Sequence, residues 1–164
     1  MMRQQFLANA RDIFCNSNQN DIDFPEFWSA AVTSQLDSPA CKTSPALACY
    51  TAWMGRATDD PSLVEASRRL YIQGLREVQY SVNDPGTALL DETLSACLGL
   101  IIYEALECPG HSYSAYRKHI DGCSALIRLR GVEAHQDGVG HELFRGFKYI
   151  AVRIRRCCLE CRSG

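Results

Sequence analysis

The sequence lacks a strong excess of charge, a long apolar run and an export signal. Its 164 residues carry a formal net charge of -2, so the chain as a whole is not attracted to nucleic acid or acidic membranes. The least charged segment, residues 93–103, is well short of the ~20 apolar residues that cross a bilayer. Residues 1–14 interleave arginines with apolar residues, unlike a secretory signal peptide. We therefore expect neither export nor membrane insertion.

Motifs of catalysis and metal binding are also missing. There is no Gly-x-Ser-x-Gly nucleophile turn and no Gly-x-x-x-x-Gly-Lys phosphate loop. The segment from His141 to Arg145 begins like the zinc motif His-Glu-x-x-His, but Arg145 occupies the place of the second histidine. His135, Asp137 and His141 share one loop at a spacing that matches no common ligand pattern. An enzyme would have to be built without any of these motifs, and we predict no metal site and no cofactor.

The nine cysteines do not indicate a disulfide framework, because their number is odd and no secretion signal accompanies them. Cys49, Cys97 and Cys123 lie among apolar residues, where a free thiol packs like a small hydrophobic group. Cys158 and Cys161 form a Cys-x-x-Cys without a second one, which is half of a zinc or redox site. We interpret that pair as a thiol-rich helix end.

The last predicted helix has a local excess of basic residues. Cations near the carboxyl end of a helix complement its dipole, and no aromatic residues interleave with the basic ones on their face of the helix to stack bases. We therefore interpret them as a solvated face rather than a nucleic-acid site. The basic residues are Arg145, Lys148, Arg153, Arg155, Arg156 and Arg162.

The spacing of apolar residues predicts an all-α fold. Apolar positions recur every three or four residues, and no segment sustains the alternation of a half-buried strand. We predict antiparallel helical hairpins that form a bundle or a short solenoid-like array. Residues 1–164 make one domain, in which residues 1–43 hold two N-terminal amphipathic stretches. A chain of this length buries roughly 70% of its unfolded surface, enough for a core.

Several helix boundaries follow from capping and turn residues. Ser44 and Asp60 each precede a proline, which predicts helices that begin there. The helix from Pro61 has an apolar side that includes Leu70 and Val82, and it ends at residues 83–86. The next helix is apolar all round in its middle, which requires neighbours on several sides.

A helix is also predicted over residues 113–130. Gly131 supplies the left-handed residue that closes many helices. A polar loop over residues 131–140 then leads to the last helix. His119 and Cys123 are four residues apart on the first of these two helices and raise the question of a metal site. A closed zinc site needs about four ligands and no neighbours supply the others, so we predict packing, with His119 hydrogen-bonded to a neighbouring helix.

Three sequence blocks carry a resemblance to a known family. They are "DETL" at residues 91–94, "YE" at residues 103–104 and "HIDGCSALIRLRG" at residues 119–131. Residues 60–150 resemble the regulatory middle region of fungal binuclear zinc-cluster transcription factors, and Cys123 stands where that family usually has alanine. The residues that match, called the motif positions below, are Asp91, Glu92, Leu94, Tyr103, Glu104, His119, Gly122, Leu126, Ile127, Arg130 and Gly131.

The resemblance implies an all-helical domain without enzymatic activity. It implies regulation of transcription, often of metabolic or secondary-metabolite genes, through effector or protein contacts, in the nucleus or alternatively the cytoplasm. The DNA-reading module of the family resembles six closely spaced cysteines around two zinc ions, whereas Cys15 and Cys41 here lie far apart. We therefore expect no sequence-specific DNA binding by this chain alone. The family's region usually continues further, so we expect a fragment or a shortened paralogue.

The apolar side of the last helix is a predicted interaction surface. A stack of helices that stops there leaves that side without a neighbour, and Phe147, Ile150 and Ile154 would then be exposed. We therefore predict a protein partner or a homo-oligomer.

A different class of function also fits the sequence. Tyr71, Tyr103, Tyr116 and His119 all fall on the central helices. If they line a pocket, the chain is a small-molecule-binding or catalytic helical protein.

Overall fold

The residues that the structure describes form helices joined by short turns and loops. The computed structural model describes residues 44–107 and 113–160, and only the backbone at 105–106, 113–116 and 152–160. No strand occurs in these ranges, which confirms the predicted all-α class. The two N-terminal amphipathic stretches and the Cys158–Cys161 pair lie outside the side chains described. The α-helices are α1 (Ser44–Ala57), α2 (Pro61–Asn83), α3 (Asp91–Glu107), α4 (Tyr113–Arg130) and α5 (Gly138–Glu160), with a 3-10 turn at Glu133–His135.

The boundaries of α2 are those that the sequence predicts. Asp60 caps the helix, because its carboxylate accepts hydrogen bonds from the Ser62 backbone N–H at 2.8 Å and the Ser62 hydroxyl at 2.7 Å. Both bonds lower the pKa of Asp60, and the bond from the Ser62 hydroxyl has the larger effect on it. At the other end Asp84 follows the last helical residue and its side chain accepts from the Gly86 N–H at 3.2 Å. At the start of α1, the Ser44 hydroxyl donates to the carboxylate of Glu77 in α2 at 2.7 Å.

Helices α1 and α2 form a close antiparallel hairpin. Ser44 at the start of α1 meets Glu77 near the end of α2, whereas Gly55 near the end of α1 meets Val64. The two backbones approach closely at Gly74, where a Cβ atom would lie 2.8 Å from Cγ of Pro45. The hairpin is therefore a contact between small residues.

The buried face of α2 differs from the prediction. Its fully buried residues are Ser67, Gly74 and Ser81, spaced seven apart, whereas Leu70 is half-buried and Val82 is exposed. Small residues are required because α1 lies so close, and the buried Ser67 hydroxyl is satisfied by donating to the Val64 carbonyl at 2.7 Å. The apolar pattern therefore identified the helix and the side that holds Gly74, but not the two buried serines.

Helix α3 is the centre of the described fold. It contacts α1, α2, α4 and α5, as predicted for a helix that is apolar all round. The Cys49 thiol of α1 donates to the Gly99 carbonyl at 3.2 Å, and Arg56 pairs with Glu107 at 2.7 Å, so α1 runs parallel to α3. Among the helices that the structure describes, none is both long and apolar enough to cross a membrane.

Helix α4 has the predicted bounds and lies antiparallel to α3. Arg130 at its end pairs with Asp91 at the start of α3, and His119 near its start faces Glu104 near the end of α3. Gly131 then has φ of +79°, the left-handed conformation predicted for it.

Helix α5 begins earlier than predicted. It starts at Gly138, inside the segment that the sequence presents as a polar loop, and the His141 N–H already bonds to the Asp137 carbonyl at 3.2 Å. Gly138, with φ of +60°, is a poor signal for a helix start. The helix forms there because the residues that follow pack on α3.

The contact at Gly74 generates a stability prediction. We expect Gly74→Ala to destabilise the fold by about 1–3 kcal/mol, because the new methyl group overlaps the stiff ring of Pro45. Gly122→Ala is the matched control, since a Cβ there meets nothing within 4 Å and alanine favours a helix by about 1 kcal/mol. Urea unfolding of both variants measures the two changes. Equal effects of the two substitutions would contradict this account of the hairpin.

Candidate functional site

The motif positions gather mainly at the two ends of α3. One group, the ion-pair cluster, consists of Asp91 and Arg130 with Gly140. The other group, the tyrosine cluster, consists of Ser67, Tyr71, Tyr103, Glu104 and His119. Each cluster joins residues that are distant in sequence, and each lies where α4 crosses an end of α3.

The ion-pair cluster contains a buried guanidinium. Arg130 donates from Nη2 to the carboxylate of Asp91 and from Nη1 to the Leu90 carbonyl at 3.4 Å. Its side chain is 4% exposed, whereas that of Asp91 is 34% exposed. Asp91 lies in the first turn of α3, where the helix dipole favours a negative charge. The Asp91 carboxylate therefore stabilises both the amino end of α3 and the charge of Arg130.

Gly140 belongs to the same cluster, although no sequence pattern indicates it. A Cβ atom at this position would overlap the Ala134 carbonyl oxygen and approach Asp91 Oδ1 to 3.2 Å. The backbone of the 131–140 segment therefore lies directly against the ion pair. Only contact information between distant residues would have identified Gly140.

The tyrosine cluster links three helices. The rings of Tyr71 (α2) and Tyr103 (α3) stack with centroids 4.5 Å apart and an interplanar angle of 13°. The Tyr103 hydroxyl lies 3.1 Å from Ser67 Oγ, and it donates, because Ser67 gives its own proton to Val64. The Tyr71 hydroxyl donates to the carboxylate of Glu104.

His119 contributes the α4 side of this cluster. Its Nε2 atom lies 3.5 Å from the Tyr71 hydroxyl and 3.8 Å from Glu104 Oε1. Burial lowers the pKa of His119, and the nearby charge of Glu104 opposes that effect. The structure therefore places His119 against neighbouring helices, as the packing interpretation predicts.

The cluster does not have the order of a catalytic triad. In such a triad a histidine bonds both to the nucleophile and to an acid. Here the Ser67 hydroxyl is bonded to Val64 and Tyr103, and His119 faces Tyr71 and Glu104 instead. The arrangement holds three helices in register and presents no activated nucleophile in the described cluster.

The residues of the predicted pocket are partly brought together. Tyr71, Tyr103 and His119 do meet, but they lie against one another and fill the space between the helices with their own rings. The side chain of Tyr116 lies outside those described. The contacts among the three described residues are those of a packed junction.

His119 and Cys123 do not share a partner. Cys123 lies opposite Cys97 of α3, whereas His119 faces Glu104, about two turns further along α3. In the loop before α5, His135 is buried with Nδ1 3.1 Å from the Gly140 carbonyl, and His141 Nδ1 lies 3.0 Å from the His135 carbonyl. No group of three His, Cys, Asp or Glu side chains in the described part is arranged to hold a metal ion.

The remaining motif positions have separate roles. Leu94 and Leu126 are buried in the core, and Ile127 packs against it. Glu92 lies in the first turn of α3. Gly122 lies on the exposed side of α4, so the core does not require a glycine there.

The predicted interaction surface on the last helix requires a correction. Phe147 and Ile150 are buried in the core, because α5 turns its apolar side onto the central helix. The side chain of Ile154 lies outside those described. The sequence argument assumed that α5 ends the helix stack, and the structure shows instead that α3 covers the described part of its apolar side.

Comparisons with known proteins agree with the resemblance. The model of the fungal-specific transcription factor domain matches residues 9–152. The uncharacterized protein AN5342 of Emericella nidulans is 35% identical over 118 residues, which are 69% of this chain and 25% of that protein. The chain therefore spans about a quarter of the length of that relative. No solved structure matches the chain.

The ion-pair cluster generates a second prediction. Asp91→Asn leaves the buried guanidinium of Arg130 without its carboxylate and is expected to cost about 2–3 kcal/mol of unfolding free energy. Adding Arg130→Met removes the unpaired charge, so the double variant should lose less than the sum of the two single variants. Glu142→Gln is the control, because its pair with Arg145 is exposed and is expected to change stability by less than about 0.5 kcal/mol.

A third prediction concerns pH. Since the pKa of His119 is lower in the fold than its ordinary value of 6.5, the unfolded chain binds the proton more readily. Stability is therefore lost as the pH falls through about 6.5, and unfolding in urea at about pH 7.5 and 5.5 measures the loss. His119→Gln should show a smaller loss than the unmodified chain. Identical losses with and without His119 would contradict the assignment.

Proposed function

This chain belongs to the fungal-specific transcription factor domain family, and from that premise we propose that it is a non-enzymatic helical domain that regulates transcription in the nucleus through protein contacts. The family model spans nearly all of the described fold, from before α1 into α5. The regulated genes that we propose are metabolic or secondary-metabolite genes, the targets that the resemblance implies.

One observation carries the proposal. Each of the polar side chains at the motif positions Asp91, Arg130, Tyr103 and Glu104 is hydrogen-bonded to a side chain of another helix. Groups that perform acid–base or nucleophilic chemistry must be able to reach a substrate. This use of the motif side chains supports a scaffold that acts through its surface rather than through a reaction.

The exposed side of α4 is the surface that we propose for protein contact. This surface, the α4 outer face, consists of Gly122, Ala125 and Leu129, all exposed. Leu129 is 73% exposed, and a large apolar side chain left in solvent is typical of a contact surface. A glycine in mid-helix costs about 1 kcal/mol relative to alanine, and it allows another backbone to approach.

The spacing of the α4 outer face fits a helix as its partner. Its steps of three and four residues are those of the a and d positions of a coiled coil. Asp121 and Arg128 then occupy successive g positions beside this seam, and both are exposed. In an antiparallel pair of helices the g positions of the two helices face each other.

These charges favour a second copy of this chain as the partner. When two copies of α4 pair about a two-fold axis centred near Ala125, each Asp121 meets Arg128 of the other copy. The apolar residues of the α4 outer face then cover one another. A single surface thus supplies both the apolar contact and the complementary charge that a two-fold pair needs.

The fourth prediction tests function directly. The chain fused to an unrelated DNA-binding domain should change transcription of a reporter gene in a fungal cell, and a fluorescent fusion should enter the nucleus. Leu129→Asp should abolish the change, because it places a charge in the apolar seam. Tyr80→Asp is the matched control, since Tyr80 is 73% exposed on α2, away from this face. No change in the reporter from a folded, nuclear fusion would overturn the proposal.

Sedimentation of the purified chain separates the partner from the function. At about 50 µM we expect a dimer, Leu129→Asp should give a monomer, and Asp121→Arg should weaken the dimer. Asp121→Arg combined with Arg128→Asp should restore it, because the exchange preserves the pairing. A monomer in which Leu129→Asp still abolishes the reporter response would assign the α4 outer face to a different protein. A salt-resistant, sequence-selective shift of promoter DNA by the chain alone would contradict the expectation about DNA.

A further inference from the structure

Two thiols face each other at the middle of the α3–α4 hairpin. Cys97 of α3 and Cys123 of α4 lie between the ion-pair cluster and the tyrosine cluster, which fix the register of the two helices at both ends. The register set by these two clusters brings Cys97 opposite Cys123, and Cys97 packs against the core cluster that contains Cys123. Both are free thiols in the structure, and both belong to the region around the apolar core.

The two thiols differ in their access to solvent. Cys123 is 1% exposed, whereas Cys97 is partly exposed. The hydrogen bond from Cys97 and burial both raise the pKa of Cys123, so Cys123 remains a protonated thiol until its partner reacts. A solute that reaches this pair therefore meets Cys97 first.

We propose that Cys97 and Cys123 form a redox modification site, in which hydrogen peroxide joins the two thiols as a disulfide between α3 and α4. Cys49 lacks such a role, because its thiol is buried and is bonded to the Gly99 carbonyl. The pair thus combines a partly exposed thiol with a buried thiol on the facing helix, and redox-sensor cysteines are often accessible and placed next to a resolving cysteine.

The reaction balances in two steps. Cys97 sulfur, as the thiolate, attacks one oxygen of peroxide, so that an S–O bond forms, the O–O bond breaks, and the released hydroxide takes up a proton as water. The Cys123 sulfur then attacks the Cys97 sulfur, an S–S bond forms, the S–O bond breaks, and the leaving hydroxide takes the Cys123 proton as a second water. Two thiols are oxidised, and one peroxide is reduced to two waters.

The disulfide would fasten the hairpin between its two polar clusters. It closes a loop of chain from residue 97 to residue 123 that includes the connection between α3 and α4. Such a link restricts the unfolded chain and so raises the melting temperature of the folded one. Because α4 carries the proposed contact surface, oxidation would also fix the helix on which that surface lies.

The fifth prediction maps the bond in the full chain. After reduction, removal of reductant and treatment with peroxide, free thiols are blocked and the protein is digested with trypsin and a Glu-specific protease. We expect a linked pair of peptides, residues 93–104 and 119–128, which contain Cys97 and Cys123 and no other cysteine. The oxidised chain should melt on the order of 5 °C higher than the reduced chain.

Matched variants make the result decisive. Cys97→Ser should remove both the linked peptides and the rise in melting temperature. Cys49→Ser should leave both unchanged, because serine keeps the hydrogen bond to the Gly99 carbonyl. The proposal is overturned if Cys123 is recovered as a free thiol while peroxide has oxidised Cys97, or if either cysteine is linked to a different one. Peptide mapping of the unmodified chain decides this even if a variant fails to fold.

Discussion

Helix α3 is surrounded by other helices, so each polar group that it carries must find a partner inside the protein. An unpaired buried polar group costs about 1–3 kcal/mol, and a buried charge costs more. The chain meets this requirement with long-range pairs: Asp91 with Arg130, Tyr103 with Ser67, and Glu104 with Tyr71. These pairs also set the positions of α2 and α4 along α3. The surfaces that α2 and α4 present are positioned by the same pairs.

Local rules of helix formation were sufficient for much of the fold. The caps at Asp60 and Gly131 act within a few residues of chain, and the structure has both. The full burial of α3 also followed from its composition, since a helix that is apolar all round needs neighbours on several sides. What these features share is that no distant residue has to be known in order to predict them.

The features that the sequence did not reveal depend on contacts between distant residues. Arg130 lies in the last turn of its helix, where the local sequence indicates only a charge that complements the helix dipole. The neighbouring residues do not indicate that its side chain is buried against Asp91. The buried serines of α2 look like part of a polar face until the close approach of α1 is known. The burial of Phe147 and Ile150 likewise depends on the direction of α5. The exposed seam of α4 likewise depends on which side of that helix packs against the core.

The tight backbone at Gly140 has a mechanical consequence. The segment between α4 and α5 is held at Gly131 by its conformation, at His135 by a hydrogen bond, and at Gly140 by direct contact with Ala134 and Asp91. A connection held at three places leaves little slack between the two helices that it joins. We therefore expect the start of α5 to move together with the end of α4, with no ligand needed between them.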